Sequence, residues 1–357
     1  MARPKREVNH RISEEEPFNA RLEARAIPML PVAPRAKGSA VGNRRWGVIL
    51  AGGDGTRLQQ LTRLICGDDR PKQFCPLVGK DTLLEQTRNR AERSIPWEQI
   101  LFPLTKSHRA FYLQEPGIRP SQRIVQPVNK GTAPPILYSL LSIEENDKDA
   151  IVAILPSDHH YSDEQVFTAA LDSSFDIAAQ RTDSVVLLGA HPQGPEVEYG
   201  WIELGPSTGG DSFRVRGFCE KPAVNVAWEL FERGSLWNTF VMVGHVRSFL
   251  NIVNAALPGL VKAFRKSLMW AGTEVHIEDS LFERIPSVNF SREVLAVRTK
   301  RLVALRLGLT DWSDLGHPER VMAVLQAVGL KPWWMKEWQA PRRIPAVAGP
   351  LKKPAVA

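Results

Sequence analysis

An α/β protein with a mainly parallel sheet, covered by helices on both faces, is predicted by three observations. Apolar runs of strand length alternate with helical patterns from residue 46 onward. Runs such as AIVAILP (150–156) are almost continuously apolar, and a glycine turn follows the first such run. Continuous apolar strands are what a sheet buried on both faces requires, and strand–helix alternation is the mark of parallel crossover units. Ligands of such sheets sit outside the carboxyl ends of the strands.

The elements follow in order. WGVILA (46–51) reads as the first strand, TLLEQTRNRAERS (82–94) as a helix and QILFPLT (99–105) as a strand. A helix is expected after Ser107, then a strand at RIVQPV (123–128), the helix APPILYSLLSIEE (133–145) and the strand AIVAILP. After residue 184 the rhythm changes. VVLLGA, YGWIEL and SFRVRGFCE crowd together before the helix AVNVAWELFERG, as strands that extend the sheet. Helices are expected over most of 246–285, two strands near 293–307, and a last helix through HPERVMAVLQAVG (317–329). Residues 1–45 and 331–357 combine charge, Pro and Ala without sustained periodicity and read as basic tails around a body at 46–330. Trp333, Trp334 and Trp338 are read as packing or assembly contacts.

The net charge of +7 invites a nucleic-acid reading, but its distribution does not support one. Residues 1–45 carry ten Lys and Arg against five Asp and Glu, and 331–357 carry six against one. The body is left with 30 against 33. A nucleic-acid-binding domain carries its positive patch on the folded body. The N-terminal residues lack an apolar signal core and no run approaches a membrane span, so a cytoplasmic protein is expected. Three cysteines without CxxC spacing point to reduced thiols rather than a disulfide framework or zinc site.

Residues 51–57, AGGDGTR, place Gly52, Gly53 and Gly55 where a turn can adopt positive φ and aim backbone N–H groups at phosphate oxygens. Thr56 and Arg57 follow at once. Arg57 offers a planar fork of donors, and Lys72, in PKQF, adds a compact charge from a second loop. Two cations thus flank one polyphosphate. The spacing matches neither the Walker pattern nor the dinucleotide GxGxxG.

With TAP (132–134), LPSDHH (155–160), EYGWIELG (198–205), FCEKP (218–222), LWN (236–238) and DWSDLG (311–316) in order, the chain resembles the sugar-1-phosphate nucleotidyltransferases. Within them it looks most like the mannose-1-phosphate guanylyltransferases. The resemblance implies a Rossmann-like core with a mixed sheet. It also implies transfer of a nucleotidyl group from GTP to mannose 1-phosphate, giving GDP-mannose and pyrophosphate. Some relatives carry an added isomerase or β-helical domain, which this chain is expected to lack. A homo-oligomer is compatible with the reading.

Such a reaction joins two polyanions, so cations must offset repulsion. The attacking phosphate is already ionised near neutral pH, its second pKa being about 6, so no Ser-His-Asp triad is required. In-line positioning and stabilisation of developing charge suffice. The resemblance makes Asp158 and Asp314 ligands of Mg²⁺ or another divalent ion; the alternative is strand-end capping of a turn, the role also considered for Asp311. His159 and His160 are adjacent on a strand and point to opposite sides, which disfavours a transition-metal cluster. The resemblance places Lys221 on the sugar phosphate, with Glu220, Asn238 and the Gly200 backbone on the sugar. A solvated ion pair for Glu220–Lys221 and a bulge or tight bend for Gly200 remain open. Lys130, Gly131 and Thr132 border the base in the resemblance, and helix capping explains Thr132 equally well.

The chain departs from the family pattern at Gln59-Gln60, at Thr239-Phe240 after Asn238, and at Ser287-Val288-Asn289. It also has a longer loop before Lys72 holding Asp68 and Asp69. These departures touch substrate choice more than chemistry. Thymidylyl or uridylyl transfer to glucose 1-phosphate, or a silent sugar-nucleotide sensor, are the alternatives.

Overall fold

A computed structural model of the chain describes residues 44–267 and 275–339; the readings for 1–43 and 340–357 lie outside it. The first half comprises β1 (Arg45–Leu50), α1 (Gln59–Cys66), α2 (Leu83–Ala91), β2 (Ile100–Thr105), α3 (Arg109–Tyr112), β3 (Arg123–Gln126), α4 (Ala133–Asn146) and β4 (Ile151–Pro156). Next come β5 (His160–Tyr161), α5 (Glu164–Gln180), β6 (Val185–Ala190), β7 (Gly200–Gly209), β8 (Ser212–Glu220), α6 (Val224–Glu232) and β9 (Leu236–His245). The remainder is α7 (Val246–Ala256), α8 (Pro258–Ser267), β10 (Val275–His276), α9 (Asp279–Arg284), β11 (Leu302–Arg306), β12 (Trp312–Ser313), α10 (Pro318–Ala327) and α11 (Trp333–Gln339).

Ten strands form one mixed sheet in the order β10-β3-β2-β1-β4-β9-β6-β11-β8-β7. The run from β10 to β4 is parallel, as is β6 with β11, while β9 lies antiparallel between β4 and β6. The pair β7–β8 continues the sheet beyond β11 and folds back so that β7 also meets β9. β5 and β12 form a separate antiparallel pair.

Successive residues of the central strands enter opposite cores, as the two-residue period of a strand requires. Val48, Val152 and Ile154 pack with Leu137, Leu140, Phe249 and Phe264 from α4, α7 and α8. Ile49, Ala153 and Leu155 pack with Leu84, Phe167, Leu171 and Phe175 from α2 and α5. Both faces are therefore covered, which explains why these strands lack polar alternation. Local signals fix the helix ends. Thr82 accepts a hydrogen bond from the Glu85 N–H, Asp163 accepts from Gln165 and Val166, and Gly67 ends α1 in the left-handed conformation.

Two expectations are corrected. Of the two strands expected near 293–307, only β11 forms, because Ser291–Leu295 winds into a π-helical turn that buries Val294 and Leu295. A short apolar run does not distinguish strand from buried helix by periodicity. The body also continues past 330. Trp334 of α11 is buried beside Leu58, Leu61, Leu77, Leu315 and Leu325, a third apolar cluster that ties α1 and α10 together. Trp333 is exposed. None of the described helices is long and apolar enough to cross a membrane.

Candidate active site

At the carboxyl ends of β1 and β4 the chain encloses two adjoining cavities. The larger, about 390 Å³, is walled by Gly52, Gly53, Gln73, Gly131, Thr132, Gly200, Glu220, Lys221 and Asn238 among others. The smaller, about 230 Å³, is bounded by Gly55, Thr56, Leu58, Lys72 and Gly316. Arg57, Asp158 and Asp314 border both. Residues drawn from β1, β4 and the 311–316 segment thus converge on one boundary, though they are distant in sequence.

The glycine turn is shaped by contact more than by unusual dihedrals. Of its three glycines, Gly55 alone takes positive φ, at 60°. A Cβ there would lie 2.9 Å from the Lys72 backbone nitrogen, so the glycine loop and the PKQF loop can touch only without a side chain at 55. At Gly52 the obstacle is polar: a Cβ would meet Gln126 Nε2 at 2.6 Å. Gln73 then fastens the turn by donating from Nε2 to the carbonyls of Ala51, at 3.0 Å, and Gly53, at 2.8 Å. The sequence alone gives Gln73 no such role, since there it is only one letter of a motif.

Lys72 Nζ lies 3.4 Å from Asp158 Oδ2 and donates to the carbonyls of Asp314 and Leu315, the former at 2.5 Å. Asp314 is held from three sides. Its Oδ1 accepts from Arg320 Nη1 at 2.7 Å, from the Gly316 N–H at 2.9 Å and from the Tyr199 hydroxyl at 3.2 Å. Burial opposes its ionisation, but the nearby Lys72 and Arg320 charges outweigh that cost and hold its carboxyl below the ordinary range. The capping role weighed for Asp314 is therefore real, and it coexists with a position on the cavity wall. Asp311 is elsewhere: its Oδ1 accepts from Gln193 Nε2 at 3.1 Å and it borders neither cavity.

The segment that carries Asp158 is anchored from behind. Arg90, only 2% exposed, makes a forked pair with Glu164, packs over the Tyr161 and Phe167 rings, and donates to the His159 carbonyl. The His159 side chain is 11% exposed, and desolvation pushes its pKa down to about 4. Trp312 Nε1 donates to its Nδ1 at 3.2 Å. His160 is drawn into the β5–β12 pair opposite Ser313.

On another wall of the larger cavity, Gly200 opens β7 in regular register with Glu220, so the bulge considered for it does not occur there. Its role is to leave room, since a Cβ would stand 2.8 Å from Glu220 Oε2. Burial raises the Glu220 pKa against the opposing charge of Lys221. Lys221 has φ 50°, its N–H donating to the Tyr199 carbonyl at 3.2 Å. Asn238 is buried on β9 and accepts at Oδ1 from the Phe240 N–H at 3.2 Å. Phe240 itself has φ 58° and lines the larger cavity.

Of the three residues considered for the base, Gly131 and Thr132 line the larger cavity and Lys130 does not. The lining residue is its neighbour Asn129, whose Oδ1 accepts from the Gly131 N–H at 2.9 Å and whose Nδ2 donates to Asp54 at 3.0 Å. Thr132 does not cap α4 with its side chain. Its Oγ1 accepts from the Phe290 N–H at 2.8 Å, tying the start of α4 to the 286–290 segment.

This site architecture coincides with a sequence match. Residues 46–329 fit the family model described as nucleotidyl transferase. The chain belongs to that family. Among similar proteins is the xanthan biosynthesis protein XanB of Xanthomonas campestris pv. campestris, 30% identical over 291 residues, which cover 79% of this chain and 60% of that one. The mannose-1-phosphate guanylyltransferase RfbM of Salmonella typhimurium is 30% identical over 278 residues, 75% of this chain and 56% of that protein. The chain thus spans somewhat over half the length of these relatives. A solved structure from Thermus thermophilus, described as a mannose-1-phosphate geranyltransferase, is 29% identical with a TM-score of 0.67, covering 78% of this chain and 79% of that one. A UDP-glucose pyrophosphorylase, 15% identical with a TM-score of 0.51, shares the nucleotidyltransferase fold.

Proposed function

We propose that this nucleotidyl transferase family member catalyses guanylyl transfer from GTP to mannose 1-phosphate. A non-bridging oxygen of the sugar phosphate attacks the α-phosphorus, the bond to the bridging oxygen of the β-phosphate breaks, and pyrophosphate leaves with its electron pair. The observation that carries this reading is the shared boundary of the two cavities, where Arg57, Asp158 and Asp314 stand with Lys72 close behind. A triphosphate can lie across that boundary with its base in the larger cavity and its terminal phosphates in the smaller. The choice of guanine and mannose is supported by the names of the relatives.

The side chains account for the steps without a general base. Arg57 and Lys72 neutralise the departing pyrophosphate, and Lys221 faces the incoming sugar phosphate. Glu220 and Asn238 orient the sugar hydroxyls, and Asn129 and Gly131 border the base. Asp158 and Asp314 offer two carboxylates to one cavity, with Asp314 held ionised by Lys72 and Arg320. That donor set fits a hard divalent cation that completes its shell with water and phosphate oxygens. Magnesium bound there would supply charge neutralisation at the phosphates.

The test is pyrophosphate release by purified protein with Mg²⁺ across a grid of nucleoside triphosphates and sugar 1-phosphates. Release confined to GTP with mannose 1-phosphate is expected. Another productive pair keeps the chemistry and changes the substrates, and no release from any pair removes the reading.

A further inference from the structure

Glu198 lies in the segment between β6 and β7, yet its carboxylate is bound by groups from two other parts of the chain. Arg57 Nη1 stands 2.8 Å from Glu198 Oε2 and 2.8 Å from His317 Nε2, and His317 Nε2 in turn contacts the same Glu198 oxygen. With His317 Nε2 protonated, it and Arg57 Nη1 are two donors converging on one Glu198 oxygen, and the Arg57–His317 edge is a close approach of donors rather than a third bond. Arg320 stands behind them, Nη2 3.9 Å from Glu198 Oε2 and 2.8 Å from Glu196 Oε2. Burial disfavours the charged form of Glu198, but the His317 bond and the Arg57 and Arg320 charges overcome it and hold the carboxyl below its ordinary range. Glu198 and Arg57 both line the larger cavity, and Arg57 also borders the smaller one. An anionic group therefore sits against Arg57, His317 and Arg320, where Arg57 joins the two cavities.

We infer that Arg57 and His317, backed by Arg320, form a phosphate subsite, and that Glu198 is its intramolecular occupant, displaced when a polyphosphate enters. This rests on the proposed reading only in taking the ligand to be a polyphosphate. A carboxylate and a phosphate present the same acceptor geometry to a guanidinium fork and an imidazole N–H. Arg57 Nη1 cannot serve both at full strength, so Glu198 competes with the ligand. If Glu198 instead orients Arg57 for the phosphate, removing its charge has the opposite effect. The sign of one affinity change thus separates the two.

The experiment is calorimetric titration of the full chain with inorganic pyrophosphate, at low ionic strength and without divalent cation. Glu198→Gln is expected to tighten binding about two- to fivefold, the scale of a partly exposed ion pair. Adding His317→Ala to that variant is expected to weaken binding again. Both side chains are about one-third exposed, 37% and 33%, so the fold is retained, and matching thermal melts verify it. Unchanged or weaker binding by Glu198→Gln overturns the inference, as does a double variant that loses nothing. The two readings fail separately. Transfer activity with no tightening refutes the subsite alone, and tightening without activity on any substrate pair leaves the subsite standing and refutes the proposed reaction.

Discussion

Lys72 Nζ lies 3.4 Å from Asp158 Oδ2, on the boundary the two cavities share, and the same ammonium donates to the Asp314 and Leu315 carbonyls. The two residues should therefore fail differently. Asp158→Asn keeps the shape and removes the charge, so turnover falls at least ~10²-fold, the scale for losing one preorganised electrostatic group, with little change in melting temperature. Lys72→Met also frees two carbonyls next to Leu315, whose φ is 46°. It should lose turnover comparably and about 1–3 kcal/mol of stability, the range for a hydrogen bond made by a charged group. Initial rates and urea unfolding of both variants check this; near-normal turnover in Asp158→Asn removes Asp158 from the catalytic group.

Glu115 carries a pH dependence unconnected with catalysis. It is buried, and burial pushes its pKa up to about 7, against the hydrogen bond donated by the Thr82 hydroxyl at 2.8 Å. The folded state therefore holds a proton that the unfolded chain releases near its ordinary value of 4.5. Stability attached to this group falls as pH rises from about 4.5 to 7, and the deficit is complete above that window. Glu115→Gln keeps an acceptor for Thr82 and abolishes the titration. Its unfolding free energy should exceed that of the parent by about 1–3 kcal/mol at pH 8, from roughly 1.4 kcal/mol per pKa unit, and match it at pH 4.5. Equal differences at both pH values rule the account out.

The thiols should react in a definite order. Cys66 Sγ and Cys75 Sγ are 3.3 Å apart, with Cys75 fully buried and Cys66 partly exposed. The hydrogen bond from Cys75 holds the Cys66 thiol below its ordinary pKa, with Arg70 adding to the effect, while the same bond and burial push Cys75 up. Burial also raises Cys219. Thiolate fraction and access set alkylation rates, so iodoacetamide at pH 7.5 should label Cys66 first, as read by peptide mass. Cys219 labelling ahead of Cys66 contradicts this assignment.

What the sequence made legible follows from periodicity and local contact. The apolar strands 46–51 and 150–156 and the glycine turn were readable because each is dictated within a few residues. The helix at 133–145 was readable too, but not the role of Thr132, because its hydroxyl serves Phe290, 158 residues away. Asn129 was missed beside Lys130, since a loop has no fixed period to say which side chain turns inward. The Glu198–Arg57–His317 cluster spans separations of 141, 119 and 260 residues, so only the closed sheet brings it together.

Phe240 joins a backbone constraint to a specificity question. Its φ of 58° is uncommon for any residue with a side chain and a marked departure for a bulky one, and its ring packs against the larger core while lining the cavity beside Asn238 and Lys221, the wall proposed for the sugar. A left-handed conformation costs a non-glycine residue about 1–2 kcal/mol. Phe240→Gly removes that cost and the ring's packing together, so its stability should stay within about 1 kcal/mol of the parent. Phe240→Ala removes the same packing but keeps most of the backbone cost, and should be less stable than the glycine variant by about 1 kcal/mol. Both open the same wall. If the ring limits which sugar enters, both variants should turn over a bulkier acceptor such as N-acetylglucosamine 1-phosphate in the pyrophosphate assay, whatever their difference in stability. Broadened use by the glycine variant alone would assign the effect to backbone movement, and by neither would remove Phe240 from substrate selection.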